Sequence, residues 1–235
     1  MIPSLLFSLR QSALGKLQFH NTLPTLPDFA RRGREPEFYP LAIARAFSKT
    51  EAENIRLVVD VGCSNWSYVR ALANSFPNAA LLGVELDGGR RYWNLHRRID
   101  YAQAYADEVR KEGRWVEVYW RDFLQLVTLT HVKIPAKSEV LFCFFFPFVS
   151  ENPCLKWGLP RRYVNFEALL KKVHLLCESA ALQSRILSVH QGEWEAHEAE
   201  RSYSNLKLAV KQFSLDVEET TEVWPSHFET RGFLL

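Results

Sequence analysis

The chain has 235 residues, 47% of them hydrophobic, which is enough to bury a substantial core in one domain with embellishments. Its formal net charge of +2 is too small to announce a nucleic-acid partner, so local clusters of Lys and Arg would have to supply that contact. The four cysteines, Cys63, Cys143, Cys154 and Cys177, show neither C-x-x-C nor zinc spacing, which argues for buried reduced thiols, no metal site and a cytoplasmic setting.

Residues 2–9 lack a basic leader and a long apolar core, so no signal peptide is expected. The most apolar stretch, residues 140–149, falls far short of the roughly 18 residues that suggest a membrane span. Residues 1–54 read as a lead-in that carries Arg31, Arg32 and Arg34 and a helix over 41–47. No linker or repeat separates it from a domain over residues 55–235.

Residues 57–61 form a short β-branched apolar run, and Gly62 follows where the backbone turns sharply and lets a ligand approach. Asn65 is placed to cap a helix whose apolar positions Val69, Leu72, Ala73 and Phe76 share one face, and Pro77 ends it. A second apolar run over 79–84 leads to Glu85, 23 residues after Gly62. That is close to the ~20 expected between a glycine turn and a carboxylate that accepts ribose hydroxyls. A dinucleotide site would want G-x-G-x-x-G beneath its pyrophosphate, and Ser64 and Ser67 stand in the later glycine slots, which disfavours one.

Gly88 and Gly89 open a polar segment to Glu112 that reads as an amphipathic helix. Residues 115–120 alternate as a third strand and lead to Asp122, and residues 139–146 are apolar on both faces as a fourth. A helix over 162–177, a strand over 182–189 and a helix over 193–211 complete a β-α alternation. Such an order predicts a mostly parallel sheet covered by helices.

Asp60, Gly62, Ser64 and Trp66 occupy the slots of D/E-x-G-x-G-x-G, and with Glu85 they resemble the first two motifs of the class I S-adenosylmethionine-dependent methyltransferases. The resemblance implies an α/β, Rossmann-like fold with a mostly parallel central sheet and helices on both faces. It also implies S-adenosylmethionine as cofactor, with Asp60, Gly62, Cys63 and Ser64 in the cofactor loop and Glu85 on the ribose. Asp122 would meet the adenine amino group, although a helix cap before Phe123 accounts for the same residue, and one side chain can do both. Trp66 sets a large ring where the family has no side chain, at the methionine end of the pocket.

Later residues resemble the bacterial tRNA (guanine-N7)-methyltransferases. That family carries F-F-P-D-P-W-P-K followed by R-R, then W-E-P-Y-A-E, then T-K-F-E-x-R-G. This chain offers Phe145, Phe146 and Pro147, then Arg161 and Arg162, then Trp194 and Glu195, then Ser226, Phe228, Glu229, Arg231 and Gly232. The resemblance implies methyl transfer to guanine N7 of tRNA, with Arg161, Arg162, Ser226 and Glu229 meeting the substrate. Glu229 is accounted for equally by a surface pair with Arg231. RNA binding would also draw on Arg31, Arg32, Arg34 and Lys156, with Trp157 and Tyr163 able to stack on unpaired bases.

The departures are specific. Phe148 replaces the family's acid after F-F-P, and His190 or Gln191 is the nearest polar substitute for its T-D pair. Guanine N7 presents an in-plane lone pair, so transfer to it needs alignment and desolvation more than a general base, and no catalytic residue is named. Two other functions fit the same loop: a methyltransferase acting on a small molecule, and a non-catalytic methyltransferase-like binding protein.

Overall fold

The computed structural model describes residues 17–18, 38–92, 96–129, 131–147, 164–190 and 210–214. Six strands form one sheet: β1 (Ile55–Val61), β2 (Ala80–Glu85), β3 (Val116–Trp120), β4 (Glu139–Phe145), β5 (Gln183–His190) and β6 (Val210–Ser214). Every neighbouring pair is parallel, in the order β3-β2-β1-β4-β5-β6. The order reverses beside β1, so β2 and β4 flank it and a crevice opens beyond its carboxyl end.

Five helices are described: α1 (Phe38–Ala46), α2 (Lys49–Asn54), α3 (Val69–Ser75), α4 (Arg98–Arg110) and α5 (Phe166–Ser179). The period of two along a strand sends successive side chains to opposite faces. Val58, Leu81 and Cys143 pack with Ile43 of α1, Leu72 of α3 and Ala102 of α4. Val59, Leu82 and Phe142 pack with Leu170 and Val173 of α5. The expected α/β, Rossmann-like architecture with helices on both faces is thus present. Residues before β1 share its core, since Tyr39, Ala42, Ile43, Ala46 and Phe47 are buried in the first cluster.

Local chemistry sets the helix ends. Ser48 and Glu51 form a reciprocal capping box at α2, with Ser48 N donating to Glu51 Oε2 at 2.9 Å. Asn165 Oδ1 accepts from Ala168 N at 2.9 Å and starts α5, so that helix begins at Phe166 within the expected 162–177. The expected helix in 88–112 begins only at Arg98, because Arg91–Tyr92 first forms a two-residue parallel ladder with Leu17–Gln18. Of the helix expected over 193–211, only Val210 and Lys211 lie within the described residues, and they belong to β6. Their backbone pairs with Ile186 and Leu187 of β5, a ladder that a helix there would forgo.

Cys63, Cys143 and Cys177 are free and buried, as expected; Cys154 lies outside the described residues. Among the described residues no helix is long and apolar enough to cross a membrane.

Arg114 closes the connection from α3 to β2. Its guanidinium donates to Ala73 O at 3.1 Å, Phe76 O at 2.7 Å and Ala79 O at 2.8 Å, which ties the end of α3 to the start of β2. Arg114→Ala is expected to lower stability by about 2 kcal/mol, since hydrogen bonds from a charged group carry roughly 1.5–3 kcal/mol. Urea denaturation measures this.

Candidate functional site

The loop after β1 builds the site. Gly62 N and Cys63 N both donate to Val84 O, at 2.8 and 3.3 Å, which draws the chain across the end of β2. From there the backbone alternates: φ is +83° at Gly62, +56° at Ser64 and +52° at Trp66. These are the three glycine slots of the motif. A Cβ built at Gly62 would meet nothing within 4 Å, so space is open on that side of the loop.

Non-glycine residues in this region cost roughly 1–2 kcal/mol each, so something must hold them there. Ser64 N donates to Glu85 Oε2 at 2.6 Å. The Trp66 indole N–H donates to Asp60 Oδ2 at 2.8 Å, and the ring is fully buried on Gly83 of β2. A Cβ at Gly83 would fall 2.9 Å from Cys63 Sγ and 3.1 Å from the Trp66 ring, so only glycine lets the loop lie so close. The ring placed by sequence at the methionine end of a pocket therefore points into the core.

Asn65 is a second difference. It does not cap α3, whose first residue is Val69 and whose N-cap is Tyr68 without a side-chain bond. Its Oδ1 accepts from Ser67 N at 3.4 Å, because the left-handed residues on both sides keep the chain in a turn there.

Asp60 lies under the loop with no exposure. Its carboxyl is pushed up to about 7, first by burial and further by Glu85, while the Tyr68 and Trp66 side chains draw it down. Oδ1 has no hydrogen-bond partner. Tyr39 of α1 stacks on Tyr68 with ring centroids 3.6 Å apart, and Phe145 of β4 meets both rings edge-on. An apolar, aromatic wall thus surrounds the acid.

Glu85 ends β2 at 4% exposure. Besides Ser64 N it accepts from Asp87 N at 2.6 Å through Oε1, and Arg98 Nη1 lies 3.5 Å from the same oxygen. Asp87 pairs with Arg90 and lies 4.0 Å from Arg98, so two acids and two guanidiniums are buried together. Asp122 follows β3 and its Oδ1 accepts from Leu124 N at 2.9 Å, capping a single 3-10 turn, Phe123–Gln125.

The fold thus brings Asp60, Gly62, Cys63, Ser64 and Glu85 together at the carboxyl ends of β1 and β2, with Asp122 beyond neighbouring β3. Arg161, Arg162, Ser226 and Glu229 lie outside the described residues. The sequence reading placed Arg90 and Arg98 in an amphipathic helix and missed that both are buried; Gly88 and Gly89, poor helix formers between Glu85 and Arg90, were the available signal. His190, at the end of β5, is also buried: its Nε2 lies 2.7 Å from Ser188 Oγ, Nδ1 has no partner, and burial lowers its pKa to about 4.

No protein-family profile matches this chain, and no curated protein matches it significantly. Among solved structures, it is similar to a SAM dependent methyltransferase from Aquifex aeolicus, at 14% identity and a TM-score of 0.43 over 84% of this chain and 95% of that one. It is also similar to magnesium protoporphyrin IX methyltransferase from Synechocystis with bound SAH, at 16% identity and 0.39 over 74% and 68%. A human methyltransferase 10 domain containing protein gives 12% and 0.39 over 87% and 84%. Likeness at this level carries no argument about activity, and the site rests on its own geometry.

Trp66→Phe deletes the indole donor and is expected to cost about 1–3 kcal/mol in urea denaturation; a ring facing the crevice would leave stability unchanged. A second expected outcome concerns pH. Asp60 is raised from 3.8 to about 7, so its stabilising contribution is full below pH 4 and is lost as pH rises towards 7. His190 is lowered from 6.5 to about 4, so its contribution is full above pH 6.5 and is lost as pH falls towards 4. The slopes oppose one another. Asp60→Asn should make stability climb more steeply from pH 4 to 6.5, and His190→Gln should make it fall over that range.

Proposed function

We propose that this chain is an S-adenosylmethionine-dependent methyltransferase whose acceptor is a nitrogen of RNA, guanine N7 of tRNA first. The observation that carries the cofactor assignment is the run of left-handed φ values at Gly62, Ser64 and Trp66 beneath Glu85. A chain that has lost two of three glycines yet keeps the backbone path they permit retains the loop that lets a nucleoside approach.

The residues fit the group. Open space borders Gly62, and Glu85 Oε2 keeps a second lone pair beyond the bond it accepts from Ser64, whereas Oε1 accepts from Asp87 N and faces Arg98 Nη1 at 3.5 Å. Glu85 would take the ribose hydroxyls, the Gly62 to Ser64 backbone would line the cofactor, and Asp122 would meet the adenine while capping its own turn. The cofactor supplies a methyl on a sulfonium, so the protein's task is to align the acceptor and exclude water. Support for the RNA acceptor comes from the motif order through Arg161, Arg162, Ser226 and Glu229.

One observation favours a second reading. Both Glu85 oxygens are already engaged by backbone amides and Arg98 stands beside them, an arrangement that also suits a non-catalytic relative with a self-satisfied crevice.

Calorimetry with S-adenosylhomocysteine separates the two. Binding is expected, and Glu85→Ala should weaken it more than tenfold; a folded protein that gives no heat sinks the enzyme reading. With tRNA lacking the modification, labelled methyl should enter the RNA. Reversing Arg161 and Arg162 to Glu should weaken tRNA binding and flatten its salt dependence.

A further inference from the structure

The carboxyl end of β3 carries an aromatic group that the cofactor loop leaves unused. Val116 and Val118 turn inward, while Trp120, third on that face, is 48% exposed. One side of its ring rests on the backbone at Gly88, where a Cβ would come within 2.8 Å, and a Cβ there would also touch Ile99. Arg97 sets its guanidinium 5.7 Å from the ring centroid and is itself fixed by Asp100, Nη2 to Oδ1 at 2.7 Å. Arg121 follows Trp120 and is exposed.

The same edge is closed to a β-strand. Val116 O accepts from Arg110 Nε at 2.5 Å and Val118 O accepts from Gln103 Nε2 at 3.3 Å, so side chains of α4 occupy its outward carbonyls. The nearby acids are also engaged, Asp100 with Arg97 and Asp122 with Leu124 N. What the edge offers is a fixed indole with the Arg97 guanidinium over it and an exposed arginine next in the chain. That combination suits a flat π system carrying negative charge.

We propose that Trp120, Arg97 and Arg121 form a stacking platform for an unpaired RNA base and its phosphate on the β3 edge of the sheet. The proposal rests on the RNA reading of the acceptor and adds the surface that grips the strand. Stacking on the indole supplies sequence-tolerant affinity, and the two guanidiniums supply the salt-dependent part.

The test uses the full chain, a fluorescently labelled single-stranded RNA oligonucleotide read by anisotropy, and S-adenosylhomocysteine read by calorimetry. Trp120→Ala should weaken RNA binding about tenfold, Trp120→Phe should restore most of it, and cofactor-product affinity should stay unchanged. Arg121→Glu, on an exposed side chain that the fold does not need, should weaken RNA binding and reduce its salt slope. Unchanged RNA affinity in Trp120→Ala and Arg121→Glu overturns the proposal, as does a wild-type chain that does not bind RNA. Loss of S-adenosylhomocysteine affinity in place of RNA affinity also overturns it, assigning the ring to the adenine. A wild-type chain that binds RNA through Trp120 but gives no heat with S-adenosylhomocysteine leaves the platform standing and removes the methyltransferase reading.

Discussion

The hydrogen bond from the Trp66 indole to the buried Asp60 carboxylate fixes the loop on which the site depends. Two of the loop's three left-handed residues carry side chains, and each would relax toward ordinary φ if nothing opposed it. Opposition comes from both sides of the β1–β2 pair. Asp60 in β1 holds the indole, Glu85 in β2 holds Ser64 N, and Gly83 gives the ring its bed. Burial of the whole indole adds an apolar contribution that a glycine in that slot lacks. The substitution that looks most damaging in the motif is therefore one of the groups that maintain the motif's backbone.

That anchoring has an electrostatic consequence. Asp60 is surrounded by Tyr39, Tyr68, Cys63 and Cys143, each pushed up in turn by burial and by the acid beside it. No cation is among those named neighbours. One strand over, Glu85 sits among donors: two backbone amides and the Arg98 guanidinium. Two carboxylates at adjacent strand ends thus occupy opposite environments, one dry and aromatic, the other polar and bonded. Divergent surroundings of this kind are how one crevice assigns different tasks to chemically similar groups.

Sequence made the strands and the parallel sheet legible because β1, β2 and β4 are near-continuous apolar runs, the pattern that burial on both faces of a parallel sheet demands. The distance from Gly62 to Glu85 placed the acid at the strand tip for a related reason: strand, turn and helix lengths are constrained. Direction was harder. Trp66 in a glycine slot gives no sign of whether its ring faces crevice or core, since that depends on Gly83 in another strand. Asn65 looked like a cap because its type favours one, yet the left-handed φ at Ser64 and Trp66 kept the helix from starting there. The start of α4 at Arg98 was hidden by a short ladder to a distant segment, a tertiary contact that local periodicity does not encode.

The distribution of buried charge bears on function more directly than any single residue. Among the described residues, the buried charged or titratable side chains set apart from the hydrophobic core are Asp60, Glu85, Asp87, Arg90, Arg98 and His190. All lie at the carboxyl ends of β1, β2 and β5 or in the segment leading from β2 into α4. At the opposite end Arg185 pairs with Glu139 at 2.8 Å and Glu51 at 3.5 Å; those side chains remain 22–34% exposed, and of their atoms Glu139 Oε2 is buried without a partner. Burying ionic groups is weak support for stability, and well-packed apolar residues of similar volume often do as well or better. A fold that concentrates this cost at one end of its sheet, and there keeps a strained loop closed over it, has the energetics of a binding crevice.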